Sequence, residues 1–148
     1  MILTELRKRL STLIMYPNPA GMMTRPHPMD INDAREAAHA LSGVVAKTPV
    51  LECHEANQCL GARLLIKAES LQRTGAFKIR GAYWRMLNMT FEERACGAIT
   101  YSSGNHALGG ATAARLLDSS ALIVMPDDAP TAKVEAVKAL GVDVANFN

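Results

Sequence analysis

Three apolar runs of strand length, separated by helical patterns, constrain the fold of this chain more than any other feature. They are Arg63–Ala68, Gly97–Tyr101 and Ala121–Met125, and none of them alternates apolar with polar residues. Strands that are apolar on both faces and are joined by helices form a parallel sheet covered on both sides. The sequence therefore predicts an α/β fold with an open, mostly parallel twisted sheet and helices on both of its faces.

Helical and turn signals fill the intervals between these runs, because apolar residues recur at helical spacing and glycine or proline marks several ends. Asp30 or Asn32 is placed to cap the first helix, which Gly43 ends, and Pro126 is expected to stop the third strand. The other predicted elements are an extended piece at Thr48–Glu52, helices at Cys53–Leu60, Gly75–Asn88, Asn105–Leu117 and Thr131–Leu140, and a strand at Val142–Phe147.

The first 28 residues differ in pattern from the rest. Met1–Ile14 pairs an apolar face with a cationic one, and Tyr16–Pro28 is rich in proline. A cationic amphipathic start is typical of an organelle-targeting or membrane-surface segment. The alternative is an over-long translation start or a loosely attached extension. Glu5 and the brevity of the segment favour the second interpretation, so residues 1–28 are interpreted as an extension and linker.

The composition of the 148 residues, 49% hydrophobic and 20% charged, is that of an ordinary soluble globular protein. The formal net charge of +2 gives no reason to expect a nucleic-acid partner, and no run reaches the length of a transmembrane helix. Cys53, Cys59 and Cys96 are odd in number and contain no C-x-x-C pair, so neither a disulfide framework nor a metal site is expected. We expect reduced thiols and a cytoplasmic location.

A single lysine, Lys78, stands between Phe77 and Ile79 at the predicted start of a helix, just after Gly75 and Ala76. A lysine that forms a Schiff base must spend time as the free amine, and the positive end of a helix and apolar neighbours both favour that form. The small residues before it leave room for a planar group. The alternative is an ordinary surface lysine in the first turn of a helix, which position alone would favour.

The second candidate segment is the polar loop Ser102–His106, between an apolar strand and an Ala/Gly-rich helix. A helix start with Gly104 and free N–H groups binds an anion such as an amino-acid carboxylate. Asn105 can donate to a phenolate oxygen, and Ser103 can carry a proton on one face of a substrate. The alternative is that Ser103 or Asn105 simply caps the helix.

Ligand sites of open parallel sheets lie beyond the carboxyl ends of the strands, and both candidate segments are expected at such ends. One segment offers an amine, and the other offers hydroxyls, an amide and backbone N–H groups. We therefore interpret them together as the site of an aldehyde cofactor.

Two longer motifs carry a resemblance to a known family. ESLQRTGAFKIRGA surrounds Lys78 and SSGNHA contains the polar loop, and their order and spacing resemble those of the fold-type II pyridoxal-phosphate enzymes, the tryptophan synthase beta-like group. The Lys47-Thr48-Pro49 segment and IVMPDDAPTAKVEAVKALGVDV extend the resemblance from about Asp30 to Val144. Within that group the chain resembles the serine/threonine dehydratase (ammonia-lyase) and serine racemase branch, because it lacks the Asn-Pro and Lys-Asp-Arg of the cysteine and threonine synthases.

The resemblance implies a pyridoxal 5′-phosphate cofactor and a role for each motif residue. Lys78 resembles the Schiff-base lysine, Phe77 its ring-packing neighbour, and Asn105 the residue that donates to the 3′ oxygen of the cofactor. The residues that resemble the substrate-carboxylate loop are Ser102, Ser103, Gly104, Asn105 and His106. The released lysine would remove the α-proton, and loss of the β-hydroxyl would yield a 2-oxo acid and ammonia. Ser103 stands where serine racemases have the acid/base of the second face, so racemisation is an alternative activity.

The resemblance also implies a small hydroxy amino acid as substrate and a homo-oligomer for the full-length protein, with no nucleic-acid or membrane partner. Residues 29–95 would belong to the large cofactor domain and residues 96–148 to the small one. The glycine-rich phosphate loop of the family lies C-terminal of Val144, and the early pair Gly109-Gly110 is predicted inside a helix. We therefore expect the N-terminal part of a dehydratase that is inactive by itself, or a non-catalytic truncated remnant.

Overall fold

The computed structural model describes residues 30–147, so the interpretation of residues 1–28 lies outside the described part of the chain. The chain divides after His39 into two units, and the described part of the first lies in helix α1 (Ile31–Ala40). Asp30 caps this helix, because its Oδ1 accepts hydrogen bonds from the N–H groups of Asn32 (2.7 Å) and Asp33 (3.1 Å). The sequence is compatible with Asp30 or Asn32 as the N-cap, and in the structure the N-cap is Asp30.

Helices alternate with strands along the second unit. The strands are β1 (Val50–Glu52), β2 (Leu65–Lys67), β3 (Ala98–Tyr101), β4 (Ala121–Pro126) and β5 (Asp143–Phe147). The helices are α2 (His54–Leu60), a 3₁₀ turn (Glu69–Leu71), α3 (Lys78–Leu87), α4 (Phe91–Cys96), α5 (Asn105–Leu116) and α6 (Thr131–Lys138). The sequence pattern predicts all of these except α4 and the 3₁₀ turn.

Strands β3, β4 and β5 form a parallel sheet in that order, which confirms the predicted fold class. Thr100 pairs with Ile123, and Ile123 pairs with Val144 on its other side. Among the described residues, the largest side chains that are fully buried are those of Ile79, Ile123, Met125 and Val137. Each such side chain contributes about 1.5–3 kcal/mol by its removal from water.

Helix α5 packs between α3 and the parallel sheet, and its composition permits this position. Its buried residues are all small: Ala107, Gly109, Gly110, Ala111, Thr112, Ala113 and Ala114. A Cβ on Gly110 would lie 3.4 Å from Thr100 Cγ2, so the helix backbone runs close above β3. Larger side chains on this helix would push it away from both neighbours.

The prediction that Arg63–Ala68 belongs to the buried parallel sheet is wrong. Strand β2 pairs antiparallel with β1, with Leu51 opposite Ile66, and both strands are exposed along their whole length. An apolar run indicates a strand but does not choose its partner, which depends on contacts distant in sequence. Consequently Lys78 does not directly follow a strand of the parallel sheet. The 3₁₀ turn and a bend at Gly75 lie between β2 and α3.

Helix α4 begins with a local signal. The side-chain oxygen of Thr90 accepts from the N–H of Glu93 (3.1 Å), and the Glu93 carboxylate accepts from the N–H of Thr90 (2.9 Å). This capping box is readable in the sequence as Thr90-x-x-Glu93. This pattern by itself predicts a helix that begins after Thr90.

Along residues 30–147, no helix combines the length and the apolar character needed to cross a membrane. In the same part of the chain, no cluster of three or more His, Cys, Asp or Glu residues could hold a metal ion. Cys53, Cys59 and Cys96 are free and exposed.

Candidate active site

Lys78 is the first residue of α3, and the turn before it determines the position of its Cα and Cβ atoms. Gly75 has φ +68°, a left-handed conformation that glycine adopts without strain, and its N–H donates to the carbonyl oxygen of Gln72 (2.7 Å). Phe77 then takes the N-cap position without capping the helix by a side-chain hydrogen bond. The Lys78 Nζ lies 5.2 Å from the centroid of the Phe77 ring. This distance is within the range of a cation–π contact, so the face of the Phe77 ring attracts the Lys78 ammonium group.

The surroundings of Lys78 are more open than the sequence suggested. Phe77 is 57% exposed, and Lys78 is exposed as well. On its other side, Ile79 is fully buried in the core. Residues 30–147 therefore anchor the backbone of Lys78 firmly but cover its side chain on one side only.

The polar loop Ser102–His106 follows the carboxyl end of β3, as predicted. The N–H of Ser102 donates to Val124 O (3.0 Å), which continues the β3–β4 pairing into the loop. The Ser102 hydroxyl then accepts from the N–H of Gly104 (3.1 Å). Gly104 is the N-cap of α5, and no side chain caps this helix. The alternative in which Ser103 or Asn105 caps α5 is therefore wrong, and the positive end of this helix has no side-chain cap.

The two candidate segments meet through a close helix contact at Gly109. A Cβ on Gly109 would lie 3.0 Å from the carbonyl carbon of Lys78 and 3.1 Å from the backbone nitrogen of Ile79. Gly109 is one helical turn, about 6 Å along the axis, from Asn105. The start of α3 therefore lies beside the first turns of α5. The backbone of Lys78 therefore lies about one helical turn from Asn105, the first residue of α5.

A cation that the sequence analysis did not assign also lies at this loop. The Nζ of Lys133, in the first turn of α6, would be 3.0 Å from a Cβ on Gly104. Lys133 therefore adds positive charge to the uncapped start of α5. No local sequence signal distinguishes it from other lysines, because the contact joins residues that are distant in the chain.

A second group missed at the sequence level lies on the other side of Lys78. The Arg80 guanidinium donates to both carboxylate oxygens of Glu69, each at 2.8 Å. This interaction, assisted by the Thr48 hydroxyl, lowers the pKa of Glu69 to about 2 although burial opposes the shift. The same pair raises the pKa of Arg80. Glu69 and Arg80 thus remain ionised and paired at any physiological pH.

A shallow cleft of about 410 Å³ lies beside the candidate site and does not include it. The residues that line the cleft are Arg73, Thr74, Leu108, Thr112, Arg115, Leu116, Ala136 and Leu140. None of the residues expected to bind cofactor or substrate is among them. Phe77, Lys78, Ser103 and Asn105 are all exposed, so residues 30–147 leave these parts of the candidate site open to solvent.

Comparison with known proteins identifies the family. The family described as pyridoxal-phosphate dependent enzyme matches residues 41–148. The chain is 44% identical to L-threo-3-hydroxyaspartate ammonia-lyase from Pseudomonas sp, over 79% of this chain and 37% of that protein. It is 40% identical to L-threonine ammonia-lyase from Thermotoga maritima, over 77% of this chain and 28% of that protein.

The solved structures agree with the sequence comparison. The structure of maize serine racemase superposes with a TM-score of 0.75 and 38% identity, covering 82% of this chain and 37% of that one. The chain therefore spans between 28% and 37% of the length of these three proteins. The resemblance to ammonia-lyases and serine racemases is confirmed. Because the family match covers most of its length, the chain belongs to the family of pyridoxal-phosphate-dependent enzymes.

Proposed function

We propose that this chain is the N-terminal part of a pyridoxal-phosphate-dependent ammonia-lyase that converts a 2-amino-3-hydroxy acid to a 2-oxo acid and ammonia. The observation that carries the proposal is the contact across Gly109, which joins the start of α3 to the first turns of α5. The contact brings the backbone of Lys78 against α5, about one helical turn from the uncapped start of that helix. Relatives that are ammonia-lyases by name support the reaction class.

The groups present fit the aldehyde end of pyridoxal phosphate and the carboxylate of an amino acid. Lys78 offers a primary amine, which is the group that an aldehyde requires. Asn105 offers an amide N–H for a phenolate oxygen, and the uncapped N–H groups of α5 suit a carboxylate. When bound, pyridoxal phosphate supplies the aldehyde for covalent attachment and an electron sink for the charge left at the α-carbon.

Each side chain then has a defined task. Lys78 Nζ would hold the cofactor through its amine and would serve as the general base for the α-proton of the substrate. Ser102 orders the loop through its bond to the N–H of Gly104, and the loop binds the substrate carboxylate together with His106. The Lys133 ammonium adds charge to the same place. Phe77 would pack against the ring of the bound cofactor, and it is over the Phe77 ring that Lys78 Nζ lies in the structure.

A serine racemase activity is the second candidate, and it depends on Ser103. Racemisation needs a second proton carrier on the face opposite Lys78. Ser103 is exposed in the loop and does not cap α5, so its hydroxyl is available for that role. The similarity to maize serine racemase supports this activity beside the elimination reaction.

The proposal extends to the context of the complete protein. Residues 29–95 would form part of its large domain and residues 96–148 part of its small domain. The substrate would be a small hydroxy amino acid, the protein a homo-oligomer, and its location the cytoplasm. Three free, exposed thiols support a reducing compartment.

The test is to mix the purified chain with pyridoxal phosphate, record the visible absorbance, reduce with borohydride and map the modified lysine by peptide mass. We expect label at Lys78 and its loss in Lys78→Ala, with ammonia release from threonine, serine or threo-3-hydroxyaspartate only in the complete polypeptide. Diffuse labelling over Lys67, Lys133 and Lys138, or none, would identify a non-catalytic remnant and overturn the proposal.

A further inference from the structure

A network of buried and partly buried polar groups flanks Lys78 and takes no part in the chemistry proposed above. The carboxylate of Glu69, in the 3₁₀ turn, accepts from Arg80 Nε and Nη2, both at 2.8 Å, and from the Thr48 hydroxyl at 2.5 Å. Thr48 is buried, and the Glu69 side chain is only 16% exposed. One carboxylate thus joins three segments of the chain.

Gln72, the residue after the 3₁₀ turn, joins two of these segments a second time. Its buried side-chain amide accepts from the N–H of Ala46 (2.7 Å) and donates to the carbonyl oxygen of Ala46 (3.0 Å). Arg80 Nη2 reaches that carbonyl as well, at 3.4 Å. Lys67 Nζ donates to the carbonyl of Thr48. These hydrogen bonds fix the stretch from Ala46 to Thr48. Through Arg80, the start of α3 is bonded to this stretch.

The geometry of the network bears directly on Lys78. Arg80 follows Lys78 by two residues in the first turn of α3, and Glu69 precedes it in the 3₁₀ turn. The Glu69–Arg80 pair therefore closes a loop that contains Gly75 and Lys78. Helix starts fray easily, because their first N–H groups lack partners within the helix. Here the Glu69–Arg80 ion pair stabilises the first turn of α3 on one side, and the packing of Lys78 and Ile79 against Gly109 stabilises it on the other.

We propose that Glu69 and Arg80 are positioning residues for Lys78, which fix the direction of its side chain by bracing the first turn of α3 against Ala46–Thr48. This inference rests on the proposed function, since it assigns a role relative to the lysine that binds the cofactor. Arginine is required, because its planar fork engages both carboxylate oxygens at once. A lysine at position 80 keeps the charge and loses that constraint.

The experiment compares the site of labelling among variants of the same chain. Pyridoxal phosphate is added, the adducts are reduced with borohydride, and the label at Lys78 is divided by the label at Lys138, an exposed lysine at the end of α6. We expect this ratio to fall about five- to thirtyfold in Glu69→Gln and in Arg80→Lys, the factor by which about 1–2 kcal/mol changes an equilibrium. Glu52→Gln is the matched control, because Glu52 forms a bidentate pair with Arg63 on an exposed surface.

A second control separates positioning from general loss of stability. Val137→Ala opens a cavity at a fully buried residue of α6, away from the network. Thermal unfolding of every variant is measured, and labelling is done at a temperature at which all are folded. We expect Val137→Ala to lower the unfolding midpoint and to keep the wild-type labelling ratio.

The outcomes are distinguishable. If the wild-type chain is not labelled preferentially at Lys78, the proposed function fails, and the inference fails with it. If the wild type is labelled at Lys78 but Glu69→Gln and Arg80→Lys keep the ratio of Glu52→Gln, the positioning role alone is overturned. It is likewise overturned if Val137→Ala lowers the ratio as much as they do.

Discussion

Under the proposed function, Ser103 is the residue on which the choice between elimination and racemisation depends. It lies exposed in the loop after β3, beside Gly104, and it does not cap α5. A hydroxyl that is not engaged in capping can carry a proton to or from a bound substrate. Elimination needs a base only on the face of Lys78, whereas racemisation needs a proton carrier on both faces.

We predict that Ser103→Ala in the complete polypeptide lowers serine racemisation about 100-fold or more, the usual contribution of a general acid or base. Ammonia release should change by much less, because Lys78 still removes the α-proton. Chiral chromatography of serine and an assay of 2-oxo acid measure the two rates on one sample. An equal fall in both would contradict the assignment and indicate that Ser103 serves substrate binding.

Glu69 yields a prediction on pH. Its pKa is about 2 in the folded chain, mainly because Arg80 donates to it, against an ordinary value of 4.5. A depressed pKa contributes stability that is present above the unfolded value and is lost as the pH falls through the folded one. We predict that Glu69→Gln costs about 1.5–3 kcal/mol of the free energy of unfolding at pH 7. The deficit should shrink between pH 4.5 and pH 2.

Urea unfolding of both proteins across that pH range measures the deficit. Glu52→Gln serves for comparison, since the side chains of Glu52 and Arg63 are 39% and 72% exposed and their pair is screened by salt. Its effect should be small and should fade in high salt. A Glu69→Gln deficit that is absent at pH 7, or that persists unchanged at low pH, would show that the network does not stabilise the fold.

At the scale of secondary-structure elements, the crossing of α3 and α5 determines the site. Glycine at position 109 lets the two backbones approach, because a Cβ there would meet backbone atoms of Lys78 and Ile79 at 3.0 and 3.1 Å. Gly110, its neighbour, faces Thr100 instead, where a Cβ would make an ordinary contact at 3.4 Å. Gly109 is therefore required for the close approach of α3, whereas a Cβ at position 110 could be accommodated.

We predict that Gly109→Ala costs about 1–3 kcal/mol, the usual range for overpacking, because the helices must separate. The same change should reduce labelling of Lys78 by pyridoxal phosphate, since it moves the start of α3. Gly110→Ala should leave stability unchanged or raise it by about 0.5–1 kcal/mol through its helix propensity. Thermal unfolding of the two variants side by side tests this, and equal midpoints would contradict the close crossing.

At the scale of the molecule, the two-stranded sheet of β1 and β2 stands out as an exposed apolar surface. Val50, Leu51, Leu65 and Ile66 are each about half exposed. Each strand also has only one partner, so backbone groups at both edges of this sheet are unpaired in residues 30–147. Surfaces of this kind promote association.

We predict that the isolated 148-residue chain associates as its concentration rises, and that Leu51→Lys combined with Ile66→Glu suppresses this. The two residues are directly opposite each other, so opposite charges preserve the pairing of the strands. Sedimentation velocity over a wide range of concentrations is the measurement. Phe91→Lys is the control, since this residue is 84% exposed at the start of α4 and lies outside the sheet. Association that is unaffected by the paired change, or equally reduced by Phe91→Lys, would argue against the sheet as its cause.

The sequence by itself determined the local structure and the chemistry-bearing residues. Periodicity and turn residues located the strands of the parallel sheet and most helices to within a few residues, because those signals act over neighbouring positions. The motifs around Lys78 and Ser102–His106 identified the family for the same reason. Helix α4 was missed although its capping box at Thr90 was present.

The tertiary structure decided what depends on contacts between distant residues. The antiparallel pairing of β2 with β1, the passage of α3 over Gly109 and the bracing of Arg80 by Glu69 join positions that no local pattern relates. An apolar run, a glycine in a helix and a lone acidic residue each fit several environments. Tertiary packing selects one environment for each, because the free energy of an interaction depends on both partners and not on the residue alone.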